Sequence, residues 1–403
     1  MRLRTLLLLS TIVISGCQER LTAPGDCPAL CPGGTPQVFD EVLNPILGAD
    51  SSFRGYVQPN TAAALLVSNG LQGVEQRAIV RFLRRSDSVS VRDTLRAYTI
   101  DSVALGFTIV ARDTTLSGVQ LQLYRLPTTI DSTTTFADVD PAFAPGNLVT
   151  TIAVPDSVKA GTVRTVLQGV DLSRVEIPAA DSGVLALGVR VEAPVPTGVR
   201  LGATASGTGP AFVTYATLDI PDTGTAKLRS FPLTAAFNSF VPPIQQAEDS
   251  TLLAVGGEPS SRALLRFQLP ARLRDSATIV RATLELTPVV PISGLPTDPA
   301  RLQARAVLAD LGAKSPVNST AGRVPADTLE AGTSGTVDFE AVRLVELWLG
   351  ATARPSALVL SMAPDLEAAS FSRPLFYSTR APDPAVRPRL RVSYLLSFPF
   401  ENP

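Results

Sequence analysis

Short runs in which apolar and polar residues alternate recur along most of the chain, and Pro and Gly separate them. The clearest run is 280–286, where Ala282, Leu284 and Leu286 fall on one face; residues 78–83 form another. A period of two is typical of a strand with one face in a core and the other in water. Many short strands between turn residues predict an all-β fold built of antiparallel sandwiches.

Several of these runs occur twice, in the same order and at similar spacing, which indicates an internal repeat. The paired segments are 77–82 with 262–267, 100–108 with 279–287, 184–187 with 357–360, and 210–215 with 388–394. The sequence therefore predicts two tandem β-sandwich domains, at 38–220 and 221–403. The Pro- and Phe-containing stretch 219–249 between them is expected to be a packed connection or a first strand of the second domain.

One segment has helical rather than strand periodicity. Residues 339–349 place on one stripe Val342, Val345, Trp348 and Leu349. Asp338 suits the N-cap and Gly350 the C-terminal end. We expect one short helix at 339–349 that covers an end of a sandwich, with Trp348 in the core.

The N-terminus has the pattern of a secretory signal. Arg2 and Arg4 precede an apolar run at 6–14 that is too short to span a bilayer. The following Ile14-Ser15-Gly16-Cys17 resembles the bacterial lipobox. This resemblance implies a signal peptide at 1–16, lipidation of Cys17 and a location in the cell envelope, with Gln18 favouring the outer membrane. The alternative is a plain secretory signal with a cysteine at 17 by chance.

Residues 17–37 are rich in Pro and Gly and predict a lipidated tether. Cys27 and Cys31 lie there, and an oxidising envelope with flanking Pro28 and Pro32 favours a disulfide between them. A redox role would need a CxxC motif in a βαβ unit, which this linker does not resemble.

Composition excludes several kinds of chemistry. The 403 residues contain no histidine, so Ser-His-Asp and Cys-His nucleophile systems and HExxH zinc sites are excluded. With 35 basic and 36 acidic residues, the chain lacks the basic field that nucleic-acid binding requires. Enzymes that use two carboxylates pass this test.

Few residues offer candidate chemistry. Asp138 and Asp140, with Asn147 nearby, could supply oxygen ligands to a structural calcium ion, although an ordinary polar loop is the alternative reading. Asp365 and Glu367 are expected to share one face of a strand, either as a catalytic pair or as solvated charges. Otherwise no catalytic residue and no cofactor is predicted.

Two arginines stand in matching strands. Arg81 and Arg266 lie beside apolar residues at equivalent repeat positions, where a buried guanidinium would need acidic partners. A shared structural role is favoured over a ligand role.

The second half also resembles a known family. The segments that carry the likeness are 249–252, 262–267, 277–284, 337–350 and 387–394. They are similar to the DNRLRE-type domain, a jelly-roll sandwich related to carbohydrate-binding modules on bacterial secreted and surface proteins. The likeness is clear over 245–395 and faint over 60–217. It implies a jelly-roll fold and a binding role.

Carbohydrate binding favours flat exposed aromatic rings, of which the sequence offers few. Trp348 is the single tryptophan, and Tyr215 and Tyr394 lie at equivalent strand ends where packed rings are expected. We therefore expect a non-catalytic envelope lipoprotein with binding, adhesion or structural roles. The alternatives are a carbohydrate-binding module that holds polysaccharide and a carboxylate-based glycan enzyme. Expected partners are the membrane, through the lipid, and a polysaccharide or an envelope protein.

Overall fold

The computed structural model describes residues 38–91, 93–177, 181–218, 227–243, 249, 251–258, 260–318, 326–350 and 354–396. Strands dominate it, and every strand pairing among these residues is antiparallel. The predicted all-β class is confirmed. Within the described ranges, no helix has the length and apolar character needed to cross a membrane.

The elements are numbered in chain order. The strands up to the middle of the chain are β1 Val38–Leu43, β2 Ser51–Arg54, β3 Ala64–Leu71, β4 Val74–Phe82, β5 Ser88–Val91, β6 Thr94–Ala97, β7 Thr99–Arg112, β8 Gln120–Arg125, β9 Leu148–Ala153, β10 Gly161–Gln168, β11 Ala186–Glu192, β12 Gly198–Gly202, β13 Ala211–Leu218 and β14 Lys227–Val241. The later strands are β15 Leu252–Ala254, β16 Ser261–Arg266, β17 Ala277–Leu286, β18 Ala300–Ala306, β19 Asp327–Leu329, β20 Val337–Glu340, β21 Ala357–Met362, β22 Leu375–Tyr377 and β23 Arg389–Leu396. The α-helices are α1 Phe136–Val139, α2 Ala271–Ser276 and α3 Val342–Leu349, and short 3₁₀ turns occur between strands.

The strands form two sandwiches with the same topology. Sandwich 1 contains β3 to β14. Its two layers run β14–β13–β7–β10 and β14–β4–β11–β8–β9, and β12 and β3 connect β7 to β4, so that these ten strands form one continuous sheet; β5 and β6 pair separately. Sandwich 2 contains β1, β2 and β15 to β23, and its main sheets run β1–β23–β17–β20 and β2–β16–β21–β18–β19. The pairing of β3 with β12 likewise corresponds to that of β15 with β22. The repeat seen in the sequence is therefore a repeat of strand pairings.

The edge strands are exchanged between the two halves. β1 and β2, at the start of the chain, pair with β23 and β16 of sandwich 2. The equivalent edge of sandwich 1 is filled by β14, whose first part pairs with β13 and whose second part pairs with β4. Each edge segment thus precedes one copy of the repeat in sequence and completes the other copy in space.

This exchange changes the predicted organisation of the chain. Residues 38–54 were expected in the first domain but pair with strands of sandwich 2, whereas 227–241 falls after the expected boundary at 220 and pairs within sandwich 1. A strand pairs with any open edge that fits its register, and local periodicity does not identify that edge. Of the stretch expected as a packed connection or a first strand of the second domain, 219–249, the described part 227–241 is a strand of sandwich 1.

The alternation of apolar and polar residues predicts which side chains are buried on β17, but not on β4. On β17, Ala282, Leu284 and Leu286 are buried as predicted, with Arg281 and Thr283 on the opposite face. On β4, Ile79 is also buried, although it faces away from the main core. It lies in a second cluster with Tyr124 and Phe143, part of which comes from the excursion between β8 and β9.

The predicted helix is shorter than expected. Residues 337–340 form β20, which pairs with β17, and α3 starts only at Val342. Asp338 is therefore a strand residue, and the Glu340 carboxylate accepts the Val342 N–H at 2.7 Å in its place. The prediction missed the period-two pattern of 337–340, which fits an open sheet edge. Trp348 is buried as predicted, against Phe267 and with its indole N–H donating to the Ala357 carbonyl at 3.2 Å.

A buried ion pair joins the two sandwiches. Both Asp298 carboxylate oxygens accept from Arg200 Nη1 of β12, at 2.7 and 2.8 Å, and the two side chains are only 14% and 6% exposed. Beside it, the Thr297 hydroxyl donates to the Arg112 carbonyl at 2.6 Å. Phe371 of sandwich 2 lies against Gly198, where any Cβ would come within 2.6 Å of its ring. The junction is therefore built like a domain interior.

The edge exchange predicts that an N-terminal side chain stabilises the second half. Leu43 is 5% exposed and packs in the core of sandwich 2, so Leu43→Ala should lower the free energy of unfolding by about 2–5 kcal/mol. Leu47→Ala is the matched control, because Leu47 is 70% exposed. Urea unfolding measures the loss, and limited proteolysis should show cleavage concentrated beyond residue 249. Equal stability of the two variants would contradict the exchange.

The junction predicts strong coupling between Arg200 and Asp298. Arg200→Met or Asp298→Leu alone should cost about 3–5 kcal/mol, because each leaves a buried charge without its partner. The double variant should lose much less than the sum, which a double-mutant cycle in urea measures. Asp365→Asn, which breaks the exposed Arg301–Asp365 pair, should cost no more than about 1 kcal/mol. Additive single losses would show that the pair does not couple.

Candidate functional site

The candidate calcium ligands are engaged in local structure. Asp138 forms a capping box with Thr135 at the start of α1, and these hydrogen bonds hold the pKa of its carboxyl below the usual range. Asp140 forms an ion pair with Arg77 at 2.7 Å, and the Asn147 side-chain amide donates to the Ala142 carbonyl. Among the described residues, no three His, Cys, Asp or Glu side chains are grouped so that they could hold a metal ion.

Asp365 and Glu367 do not share a strand face. They lie in the turn after β21, where Asp365 is exposed and pairs with Arg301. Glu367 is buried and bound by Arg262 through two hydrogen bonds, Nε to Oε1 at 2.6 Å and Nη2 to Oε2 at 2.9 Å. The expectation of a strand was wrong because Pro364 and the turn end β21 at Met362. The two carboxylates therefore serve separate ion pairs.

The expected packed tyrosines have different surroundings. Tyr394 is buried and stacks on Phe39 with ring centroids 5.7 Å apart. Tyr215 is half-buried, and its hydroxyl accepts from Arg164 Nη2 at 2.5 Å. Cys17, Cys27 and Cys31 lie outside the described residues, so lipidation and the disulfide remain predictions.

A repeated arginine that the sequence analysis did not single out has a structural role in both halves. Arg77 lies between the Phe136 and Phe143 rings, at 4.3 and 4.4 Å from their centroids. Its counterpart Arg262 lies 4.1 Å from the Tyr56 ring and is paired with Glu367. The available signal was the first position of the 77–82 and 262–267 repeat, where both segments have arginine.

Arg266, one of the two arginines singled out from the sequence, is fully used within the protein. Asp310 accepts from its Nε at 2.5 Å and from its Nη2 at 2.8 Å, and Nη1 donates to the Ala49 carbonyl. The Asp310 carboxylate raises the pKa of this guanidinium further. Its structural role is therefore clear, and it depends on the exchanged N-terminal segment.

Arg81, at the equivalent position of sandwich 1, is not used in this way. Its Nη1 donates only a long bond, 3.5 Å, to the Thr128 carbonyl, and its guanidinium lies 5.9 Å from the Phe237 ring. No carboxylate in the described part of the chain lies within 4 Å of Arg81 or of neighbouring Arg84. Asp131 interacts electrostatically with Arg81, and the pKa of its carboxyl is lowered chiefly by Thr133 hydrogen bonds and in small part by Arg81. The two equivalent arginines therefore do not share one role.

Arg81 lines a pocket of about 400 Å³ at the end of β4. Its other lining residues are Phe82, Leu83, Arg84, Thr128, Asp181, Ser182, Val184 and Ala236. Two features of the chain shape it. The pairing of β14 with β4 shifts register around Ala236, and the turn before β11 carries two successive positive φ angles, at Ser182 and Gly183. A Cβ at Gly183 would lie 2.5 Å from the Arg85 carbonyl, so only glycine allows this turn to close against the arginine segment.

A buried carboxyl outside this pocket is also unusual. Glu258, in the turn between β15 and β16, is 7% exposed, and its Oε2 has no hydrogen-bond partner among the described residues. Burial raises its pKa to about 8. Glu258 is therefore protonated at neutral pH in the folded protein.

Comparison with known proteins gives no family. No protein-family model matches the chain, and no curated protein matches it.

Glu258 predicts a decrease in stability as the pH rises. Its pKa is higher in the folded state than the ordinary 4.5, so between pH 4.5 and about 8 the unfolded chain binds one proton fewer. The free energy of unfolding should fall in this window by up to about 1.4 kcal/mol per pH unit and level off above it. Glu258→Gln should remove most of this slope, as measured by urea unfolding from pH 5 to pH 9. Glu330→Gln, which removes an exposed carboxyl, is the control; equal slopes in both variants would contradict the assignment.

Proposed function

We propose that this protein is a non-catalytic lipoprotein of the bacterial cell envelope, a rigid pair of binding modules held at the outer membrane by a lipid on Cys17. The single structural observation that supports it best is the way the two sandwiches are joined. Exchanged edge strands and the buried Arg200–Asp298 pair join the two repeats to each other. Such a joined pair suits binding, adhesion or architecture at a surface.

The N-terminal sequence supports the envelope location. The basic start, the apolar run at 6–14 and the Ser15-Gly16-Cys17 end resemble a lipoprotein signal. Residues 18–37 then provide a tether before β1 begins at Val38. Because β1 belongs to sandwich 2, the tether attaches to the half of the protein that is more distant in sequence.

The use of charged side chains supports a non-catalytic role. The carboxylates that might have formed a catalytic pair are separately committed, Asp365 to Arg301 and Glu367 to Arg262. Asp140 is committed to Arg77. These contacts stabilise turns and excursions of the sandwiches, and each carboxylate has a guanidinium partner within the protein.

A second candidate function is that of a carbohydrate-binding module that holds polysaccharide. One observation favours it, the pocket at Arg81, where guanidinium, hydroxyl, carboxylate and apolar groups lie together. This combination is typical of sites that bind polar small molecules. The resemblance of the second half to DNRLRE-type domains points in the same direction.

The lipoprotein proposal predicts the mass of the mature chain. Intact mass spectrometry of membrane-extracted protein should give a chain that begins at Cys17 and carries acyl groups. Cys17→Ser should abolish acylation and release the protein from the membrane fraction, whereas Cys27→Ser, the matched control, should leave both unchanged. A wild-type chain that begins elsewhere or lacks acyl groups would overturn the proposal.

A further inference from the structure

We propose that the edge of sandwich 2 formed by residues 38–47 docks on the surface of a phospholipid bilayer. The inference rests on the proposed lipoprotein and adds to it a surface that contacts the membrane. Sixteen large apolar side chains are exposed in the described part of the chain, and five of them lie within these ten residues. These five form the apolar edge: Val38, Phe39, Val42, Ile46 and Leu47. Grouped exposed apolar side chains mark a surface that contacts a partner or a membrane.

The core of sandwich 2 does not account for the apolar side chains on the outer face of β1. Leu43 points into that core and is buried, whereas Val38 and Val42 lie on the opposite face of the same strand and are exposed. Among the described strands, β1 is the outermost of its sheet, with β23 on its inner side. The two valines therefore cover no interior of the protein, and an external apolar surface would explain their presence.

The turn that follows β1 carries the last two residues of the apolar edge. Arg266 donates both to the Ala49 carbonyl of this turn and to the Asp310 carboxylate, so the loop after β18 lies beside the turn. Two exposed side chains of that loop, Leu308 and Leu311, widen the apolar surface. The surface is thus built from two segments that one arginine holds together.

The charges around the apolar edge balance. Glu41 accepts two hydrogen bonds from Arg272, at 3.0 and 2.6 Å, and the ion pair of the neighbouring loop is likewise neutral. Asp40 and Lys314 add one negative and one positive charge. A surface without net charge docks through its apolar side chains, because attraction to anionic lipids requires a cluster of basic residues. A zwitterionic bilayer is therefore a sufficient partner.

The position of the tether favours a membrane as the partner. Twenty residues, 18–37, separate Cys17 from Val38, and they span at most about 70 Å at about 3.5 Å per residue. In the lipidated chain, the apolar edge begins where the tether ends. The tether alone leaves the orientation of the sandwiches open, and the apolar edge would set it.

A second copy of the chain is a poorer partner for this edge. In each central two-fold register of β1 with itself, a carboxylate faces a carboxylate: Asp40 opposite Asp40, Asp40 opposite Glu41, or Glu41 opposite Glu41. Like charges directly opposite each other destabilise a strand pair. At a bilayer surface, by contrast, the carboxylates and the backbone edge stay among hydrated headgroups while the apolar side chains reach the acyl boundary.

The docking is weak by itself and depends on the anchor. Even one myristoyl chain gives only marginal, reversible membrane binding, so a few exposed side chains do not hold the protein at a bilayer. Cys17→Ser should therefore still leave the membrane fraction. In the anchored chain, the lipid keeps the apolar edge at a high effective concentration beside the bilayer, and a weak contact is enough to orient the sandwiches.

Quenching of tryptophan fluorescence by brominated lipid tests the docking. Leu47→Trp places a reporter on the apolar edge, and Leu95→Trp on β6 is the matched control, because the two leucines are 70% and 74% exposed. Trp348 is buried and gives both variants the same background. The lipidated full chain is reconstituted in phosphatidylcholine vesicles with and without bromine on the acyl chains. We expect quenching of the Leu47→Trp reporter to exceed that of Leu95→Trp by at least about twofold, since only the first side chain reaches the acyl boundary.

Removal of apolar side chains tests whether the edge docks as a unit. With Leu311→Trp as the reporter, the pair Val42→Ser and Leu47→Ser should remove most of the quenching. The control pair, Val166→Ser and Val170→Ser, removes two exposed valines of sandwich 1 and should leave the quenching unchanged. All four replaced side chains are exposed, so these variants should keep the wild-type melting temperature.

The outcomes separate this inference from the lipoprotein proposal. Stronger quenching at the edge, lost with Val42→Ser and Leu47→Ser, would support the docking. Equal quenching of the Leu47→Trp and Leu95→Trp reporters in an acylated chain would overturn the docking and leave the lipoprotein in place. A chain without acyl groups on Cys17 would overturn both. If Cys17→Ser elutes as a dimer that the two serine substitutions convert to a monomer, the edge binds a second copy, and the membrane assignment is wrong.

Discussion

The structure depends on the need of each sheet edge for a strand that pairs with its backbone N–H and C=O groups. Both sandwiches have this edge at the same place, beside the strands that correspond to β13 and β4. β14 fills it in sandwich 1, while β1 and β2 fill it in sandwich 2. Because each filling segment belongs in sequence to the other repeat, neither half is complete without the exchange. Along the chain, the strands of sandwich 1 therefore lie between β1 and β2 and the remaining strands of sandwich 2.

The junction between the sandwiches contains a buried ion pair. Arg200 lies on β12 of sandwich 1 and Asp298 lies in the loop between β17 and β18 of sandwich 2, and both side chains are buried where the sandwiches meet. Arg200 Nη1 donates to both carboxylate oxygens of Asp298, and this attraction offsets part of the desolvation cost of burying the two charges. Arg200 Nε has no partner in the described residues, so the pair remains costly and contributes more to the relative orientation of the sandwiches than to their stability.

Periodicity predicted those features that depend on neighbouring residues. Alternation at 280–286 gave β17, and the ordered repeats gave two copies of one topology. Periodicity did not predict features that depend on residues distant in sequence. Nothing local to 38–54 shows that its partners are β16 and β23, and the helical stripe at 342–349 concealed the strand at 337–340. For the same reason the sequence equated Arg81 with Arg266, since Asp310 comes from a separate loop.

That difference shows how equivalent positions of a repeated fold can have different surroundings. Arg81 and Arg266 occupy the same position on equivalent strands, β4 and β16, and these strands have equivalent neighbours. In sandwich 2 the guanidinium of Arg266 donates to the Asp310 carboxylate, which comes from the loop after β18, and to the Ala49 carbonyl of the exchanged N-terminal segment. At the equivalent place in sandwich 1, β14 supplies the Phe237 ring and a register shift around Ala236, and Arg81 lines a pocket beside them. The loop that carries Asp310 and the edge segment that carries the Ala49 carbonyl thus together give Arg266 partners that Arg81 does not have.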